Sequence, residues 1–192
     1  QVERASETID EAQKIDELGS FTSYTEKEIF DIPAVLKNAW SGRINFEEKT
    51  IQNETLDALG DLDIERICIL WSGSSSYAGD MGCYFLRKFA DISSQVVIPS
   101  EFLVDTFIPD SKTLYIFLSQ SWETADVRES MKIVKAKGCM TFGIVNVVGS
   151  TIARMADMWL YSHAWVEVGV ASTKNVIAQV GVLLMMAMSL GS

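Results

Sequence analysis

An α/β fold is predicted: a three-layer sandwich on a five-stranded parallel sheet, preceded by a helical extension. Two observations predict it. From Arg66 onward, five short apolar runs alternate with segments of helical periodicity, the pattern of a parallel sheet with helices on both faces. Before residue 61 the chain carries helical patterns only. The expected division is an extension over residues 1–60 and an α/β unit over residues 61–192. A chain of 192 residues suits it, because single domains commonly run to about 100–200 residues.

Val2–Leu18 is charged, with little apolar periodicity, and is read as a surface helix or a linker-like entry. Phe21–Arg43 carries Tyr24, Ile29, Phe30, Ile32, Val35, Leu36 and Trp40, and a helix is read in its second half. Pro33 is placed in its first turn, where a missing N–H costs nothing, and Gly42 at its stop. Asn45–Leu59 is read as another short helix. The expected strands are Arg66–Trp71, Gln95–Ile98, Leu114–Leu118, Met140–Val145 and Met158–Tyr161. Between them lie helices at Tyr77–Ala90, Thr124–Lys137 closed by Gly138, and Thr151–Met155, with a short helix or turn at Glu101–Phe107. Ser172–Leu190 is the closing helix. Its apolar stretch Val176–Leu190 contains Gln179 and is too short to span a bilayer, so it reads as a core helix.

Composition excludes several function classes. Hydrophobic residues make up 48% of the chain, enough for a substantial core. The net charge of −10 argues against nucleic acid and against an anionic membrane surface, both of which need a basic face. It leaves room for a small phosphorylated ligand, because helix N-termini and hydroxyls bind phosphate without Lys or Arg. Cys68, Cys83 and Cys139 are odd in number and widely spaced, so neither a disulfide framework nor a zinc site is expected. With no apolar h-region in Gln1–Leu18, a reducing cytoplasm is the expected location. No metal and no cofactor are expected.

Two hydroxyl-rich loops carry the chemistry. Gly73-Ser74-Ser75-Ser76 follows the first strand and opens a helix. Glycine permits a sharp turn, and the serines offer hydroxyls and free N–H groups at a positive helix end. The spacing matches neither a dinucleotide fingerprint nor a Walker loop. Ser119-Gln120-Ser121-Trp122-Glu123-Thr124 has the same placement after the third strand. Ordinary N-capping competes with anion binding for both loops. Open α/β sheets bind ligands beyond the carboxyl ends of their strands, where both loops fall. A third segment, Glu167–Lys174, precedes the closing helix; Ser172 is a candidate N-cap, and Val170 and Ser172 can offer backbone groups. Lys174 reads as a solvated first-turn lysine, and His163 as a structural histidine.

Six segments in order resemble a known family. They are Tyr24-Thr25-Glu26-Lys27-Glu28-Ile29 with Pro33 and Gly42-Arg43, Gly73-Ser74-Ser75, Ser100-Glu101-Phe102, Ser119–Asp126, Asn146-Val147-Val148-Gly149-Ser150 and Glu167–Lys174. Together they resemble the first sugar isomerase (SIS) domain in the isomerase half of glutamine–fructose-6-phosphate aminotransferases. The resemblance implies a flavodoxin-like sheet and a hexose 6-phosphate ligand. It implies phosphate contacts at Ser74, Ser75, Ser119, Gln120, Ser121 and Thr124, and sugar contacts at Val170 and Ser172. It implies a homodimer, with a second SIS domain and a glutaminase domain in the parent enzyme. The catalytic groups of that enzyme lie in those domains, so no catalytic residue and no isomerase activity are expected of this stretch alone. A stand-alone module for sugar-phosphate sensing or dimerisation is the alternative. Trp122 and Trp165 stand where the family has glycine; a β-carbon at a left-handed position in the Trp122 loop would add about 1 kcal/mol of strain.

Overall fold

The computed structural model describes residues 17–71, 73–104, 108–120 and 125–191. The elements run α1 (Tyr24–Trp40), β1 (Ile44–Asn45), β2 (Thr50–Ile51), α2 (Glu54–Gly60), β3 (Arg66–Leu70), α3 (Ser75–Phe89) and β4 (Ser93–Val97). They continue α4 (Pro99–Val104), β5 (Thr113–Ser119), α5 (Ala125–Ala136), β6 (Thr141–Val145), α6 (Thr151–Met155), β7 (Met158–Tyr161) and α7 (Lys174–Leu190). The expected surface helix or linker-like entry over Val2–Leu18 falls almost wholly outside the described residues.

The main sheet is parallel throughout, in the order β4-β3-β5-β6-β7. This is the flavodoxin-like winding, and the order reverses between β3 and β5. The interior strands β5 and β6 are buried along nearly their whole length, while the edge strands β4 and β7 are partly exposed. That is why the interior strands read as unbroken apolar runs.

Successive strand side chains point to opposite faces, and each face has its own core. Ile67, Ile69, Ile116, Leu118 and Ile144 pack against α1, α2, α3 and α7 through Ala39, Leu56, Leu86 and Val182. Cys68, Leu70, Tyr115, Phe117 and Val145 pack against α4, α5 and α6 through Phe102, Met131 and Ile152. These are the three predicted layers.

Three local readings change. Asn45–Leu59 is a β1–β2 hairpin followed by α2, not one helix. The Asn45 side chain accepts the Glu47 and Glu48 N–H groups, both at 3.1 Å, and Lys49 turns through φ +55°; such local bonding diverts a chain from helix. Pro33 sits inside α1, not in its first turn. The helix begins earlier because Ser23 caps it, accepting from Glu26 N at 3.1 Å, while Glu26 accepts from Thr22 N at 2.9 Å. The closing helix is capped at Thr173 rather than at Ser172. The core-helix reading of the closing helix holds: α7 buries Ala178, Val182, Leu183, Met185, Met186 and Ala187. Among the described residues, no helix is long and apolar enough to cross a membrane.

All three cysteines are buried and unbridged. Burial pushes the Cys68 thiol up to about 12, and it raises Cys83 and Cys139 as well. Thiolate is the reactive form. The native protein is therefore expected to react slowly with a thiol reagent, and all three thiols are expected to appear together on denaturation. Rapid labelling of the native protein contradicts this. The linkage has a definite sign. Unfolded thiols ionise near pH 8.5, and the folded Cys68 thiol only near about 12. Stability is full below the first value and falls between the two.

Candidate functional site

The carboxyl ends of β3 and β5 lie side by side, with Leu70 opposite Phe117. Strand order reverses here, so a crevice opens between the two outgoing loops. In the first loop Gly73 takes φ +66°, a left-handed conformation that costs glycine nothing. Ser74 is the N-cap residue of α3, yet its side chain makes no capping hydrogen bond. The local turn bonds run through the backbone, from Ser76 N to Gly73 O at 3.3 Å and from Tyr77 N to Ser74 O at 3.2 Å. Ser75 is buried beneath them. The capping reading for Ser74 is therefore set aside. The Ser74 hydroxyl is left at the positive end of a 15-residue helix.

In the second loop, Ser119 ends β5 and Gln120 follows it, both half-buried. Ser121, Trp122 and Thr124 lie outside the described residues. Gln120 is held by a residue to which sequence reasoning gave no role. Its Nε2 donates to Glu167 Oε2. The same carboxylate oxygen accepts from Ser172 Oγ at 2.7 Å. The other oxygen accepts from Thr173 N at 2.6 Å, Thr173 Oγ1 at 3.2 Å and Asn175 N at 3.4 Å. Glu167 thus ties the β5 loop to the segment that opens α7. It also occupies the N-terminus of that helix, which has no side-chain cap of its own. Ser172 is a ligand of this carboxylate rather than a cap. Val170 is fully exposed beside it.

Glu167 is braced from both sides. Upstream, Asn146 at the end of β6 donates to Trp165 O at 2.7 Å and accepts from Ala164 N at 2.8 Å. Downstream, Glu28 of α1 accepts from Val168 N at 2.6 Å and from Gly169 N at 3.0 Å. Glu28 is only 2% exposed. These bonds satisfy backbone donors that a turn would otherwise bury unpaired. Glu167 had a local signal: an acid just ahead of a helix start satisfies its free N–H groups. Glu28 had none, since its partners lie 140 residues away.

Lys174 is not the solvated lysine its position suggests. It is 1% exposed, and its Nζ lies 3.2 Å from Asp31 Oδ2 and 5.9 Å from the Trp165 ring centre. Helix α7 packs against α1 as well as α3, so a side chain in the first turn of α7 reaches α1 rather than water. Trp165 takes φ +58°, a region that costs a residue with a β-carbon about 1–2 kcal/mol. His163 lies 3.3 Å from Arg43 Nη2 and packs near the Tyr161 ring. Burial lowers the affinity of Arg43 for its proton. Arg43 also donates to Ala39 O at 3.0 Å and to Tyr161 O at 2.8 Å, so this cluster ties α1 to β7.

A concavity of about 340 Å³, lined by Arg66, Ser93, Asp110 and Thr113, lies at the opposite, amino ends of β3, β4 and β5. Parallel sheets place ligands at the carboxyl ends, so it is not the candidate. Among the described residues, no group of three His, Cys, Asp or Glu side chains is placed to hold a metal ion.

The family model for the SIS domain matches residues 62–189. A glutamine–fructose-6-phosphate aminotransferase (isomerizing) from Chlorobaculum tepidum is 42% identical over 99% of this chain, and that from Thermus thermophilus is 35% identical over 99%. The chain spans 31% of the length of each of these two relatives. The solved C-terminal domain of glucosamine-fructose-6-phosphate aminotransferase from Francisella tularensis superposes with a TM-score of 0.84 at 28% identity, covering 92% of this chain and 49% of that one. The matched span runs from just before β3 to the last turn of α7 and holds all three site segments, and on that match the chain belongs to the SIS domain family.

Proposed function

We propose that this chain is the phosphosugar-binding SIS domain of a glutamine–fructose-6-phosphate aminotransferase, and that it binds fructose 6-phosphate or glucosamine 6-phosphate in amino sugar synthesis. The phosphate is held by Ser74, Ser75, Ser119, Gln120, Ser121 and Thr124, and the sugar by Val170 and Ser172. Residues 1–60 are the extension and 61–192 the binding unit. The parent enzyme's second SIS domain and its glutaminase domain supply the reacting groups, so this chain alone does not isomerise sugar phosphates. The chain works in the cytoplasm as a homodimer.

One observation carries the reading: the hydroxyl-rich start of α3, with no side-chain cap, stands at the strand-order reversal beside Ser119 and Gln120. A helix N-terminus with free donors favours a phosphate. Hydroxyls rather than lysines suit an acidic protein that must release its ligand. Calorimetric titration tests it. Fructose 6-phosphate is expected to bind and fructose not to. Ser75→Ala and Ser119→Ala are each expected to weaken binding about tenfold, the usual scale for one hydrogen bond to a charged group. Equal affinity for fructose, or unchanged affinity in both variants, overturns the proposal.

A further inference from the structure

We infer that Glu167 is a positioning residue that fixes the direction in which the sugar phosphate lies, by deciding which groups of the site donate hydrogen bonds and which accept them. The inference rests on the binding reading above and deepens it.

A carboxylate accepts hydrogen bonds and does not donate them. Five donors from two segments converge on Glu167: the Gln120 amide, the Ser172 and Thr173 hydroxyls, and the Thr173 and Asn175 backbone N–H groups. Each partner's polarity follows. The Ser172 hydroxyl has one proton, and at 2.7 Å that proton is given to Glu167 Oε2. Its oxygen can then only accept from a ligand. A sugar hydroxyl can supply the proton, and a phosphate dianion cannot. Gln120 has two amide protons and gives one to the carboxylate. The other stays free for a phosphate oxygen.

Charge acts in the same direction. The Glu167 carboxylate fills the N-terminus of α7, so this helix end presents negative charge where α3 presents its positive end with the uncapped Ser74 hydroxyl. A phosphate is repelled from the Ser172 side and drawn to the α3 side. The Glu28 and Asn146 brackets keep the carboxylate from turning away. The site is thus polarised: phosphate at Ser74–Ser75, hydroxyl-bearing carbons at Ser172.

Glu167→Gln tests this in the full chain. A glutamine presents one acceptor oxygen and one NH₂ group to donors that need acceptors at both positions. The variant is expected to bind fructose 6-phosphate about tenfold more weakly or worse, while affinity for inorganic phosphate falls by clearly less, because Gln120 is the one phosphate donor that Glu167 holds. Thermal melting checks that the variant folds. A loss of packing alone would lower both affinities together, so the ratio of the two is the deciding readout. Ser172→Ala provides a second route that leaves Glu167 in place and is expected to show the same selective loss. If Glu167 acts through Ser172, the double variant binds fructose 6-phosphate no more weakly than the worse single variant by more than about threefold, because coupled sites are not additive. Unchanged fructose 6-phosphate affinity in Glu167→Gln, equal loss of both ligands, or fully multiplicative losses overturn the inference. Failure of the wild-type chain to bind fructose 6-phosphate at all overturns the binding reading instead.

Discussion

Asp31→Ala is expected to cost about 3 kcal/mol of folding stability, the scale for removing one partner of a buried ion pair. Lys174 Nζ is 1% exposed, and its nearest carboxylate is Asp31 at 3.2 Å. Without that carboxylate the ammonium keeps only the Trp165 ring at 5.9 Å, a contact that is weak at such a distance. Lys27, which lies 3.3 Å from the same oxygen, loses that contact as well. The loss is large against a whole-domain stability of about 5–15 kcal/mol, and a urea midpoint will register it. Lys174→Met removes the charge itself and fills similar volume. It is expected to cost less than about 1 kcal/mol, since apolar replacement of a buried pair is often neutral. Adding it to Asp31→Ala is expected to restore most of the lost stability. Equal costs for the two single variants would contradict a buried charge held by Asp31.

Gly169→Ala is expected to destabilise the fold by about 2 kcal/mol, in the range for overpacking, and to weaken hexose phosphate binding with it. A β-carbon at Gly169 would lie 2.6 Å from Glu28 Oε2 and 3.1 Å from Thr25 Oγ1. Neither neighbour can move freely. Glu28 is buried, and its other oxygen already holds the Val168 and Gly169 N–H groups. Pushing the carboxylate aside breaks those bonds and leaves two backbone donors unpaired, at about 1–3 kcal/mol for a buried group. The bracket that steadies Glu167 loosens as well. Paired measurements of melting and of fructose 6-phosphate affinity check both parts. A Gly169→Ala protein that melts like the wild type contradicts a clamp between α1 and this turn.

The fold was legible because its signals are local. Cys68, Leu70, Tyr115, Phe117, Phe142 and Ile144 sit in apolar runs that only a doubly covered strand explains, and each run ends in a turn segment. The hairpin at β1 and β2 escaped because two-residue strands carry no periodicity. The Asn45 side-chain bonds that set it are chemistry rather than pattern. Pro33 misled for a related reason. A proline marks a first turn by default, but Ser23 and Glu26 already start the helix with better capping. In the site, the glycine and serines of the α3 turn announced themselves through composition. The frame behind them did not. Glu28 reaches across the chain to Val168, and Lys174 meets Asp31 only because α1 packs on α7. Both are products of tertiary packing that no window of neighbouring residues contains. Glu167 stood within a recognisable segment, but the cap was read at Ser172, so the acid ahead of the helix went without a role.

The direct test of a hexose phosphate cup at the β3–β5 reversal is a crystal structure of this chain with fructose 6-phosphate bound. The phosphate is expected within hydrogen-bond reach of Ser74, Ser75, Ser119 and Gln120, with a sugar hydroxyl donating to Ser172 Oγ. A phosphate found instead at the amino ends of the strands, beside Arg66 and Ser93, would contradict it.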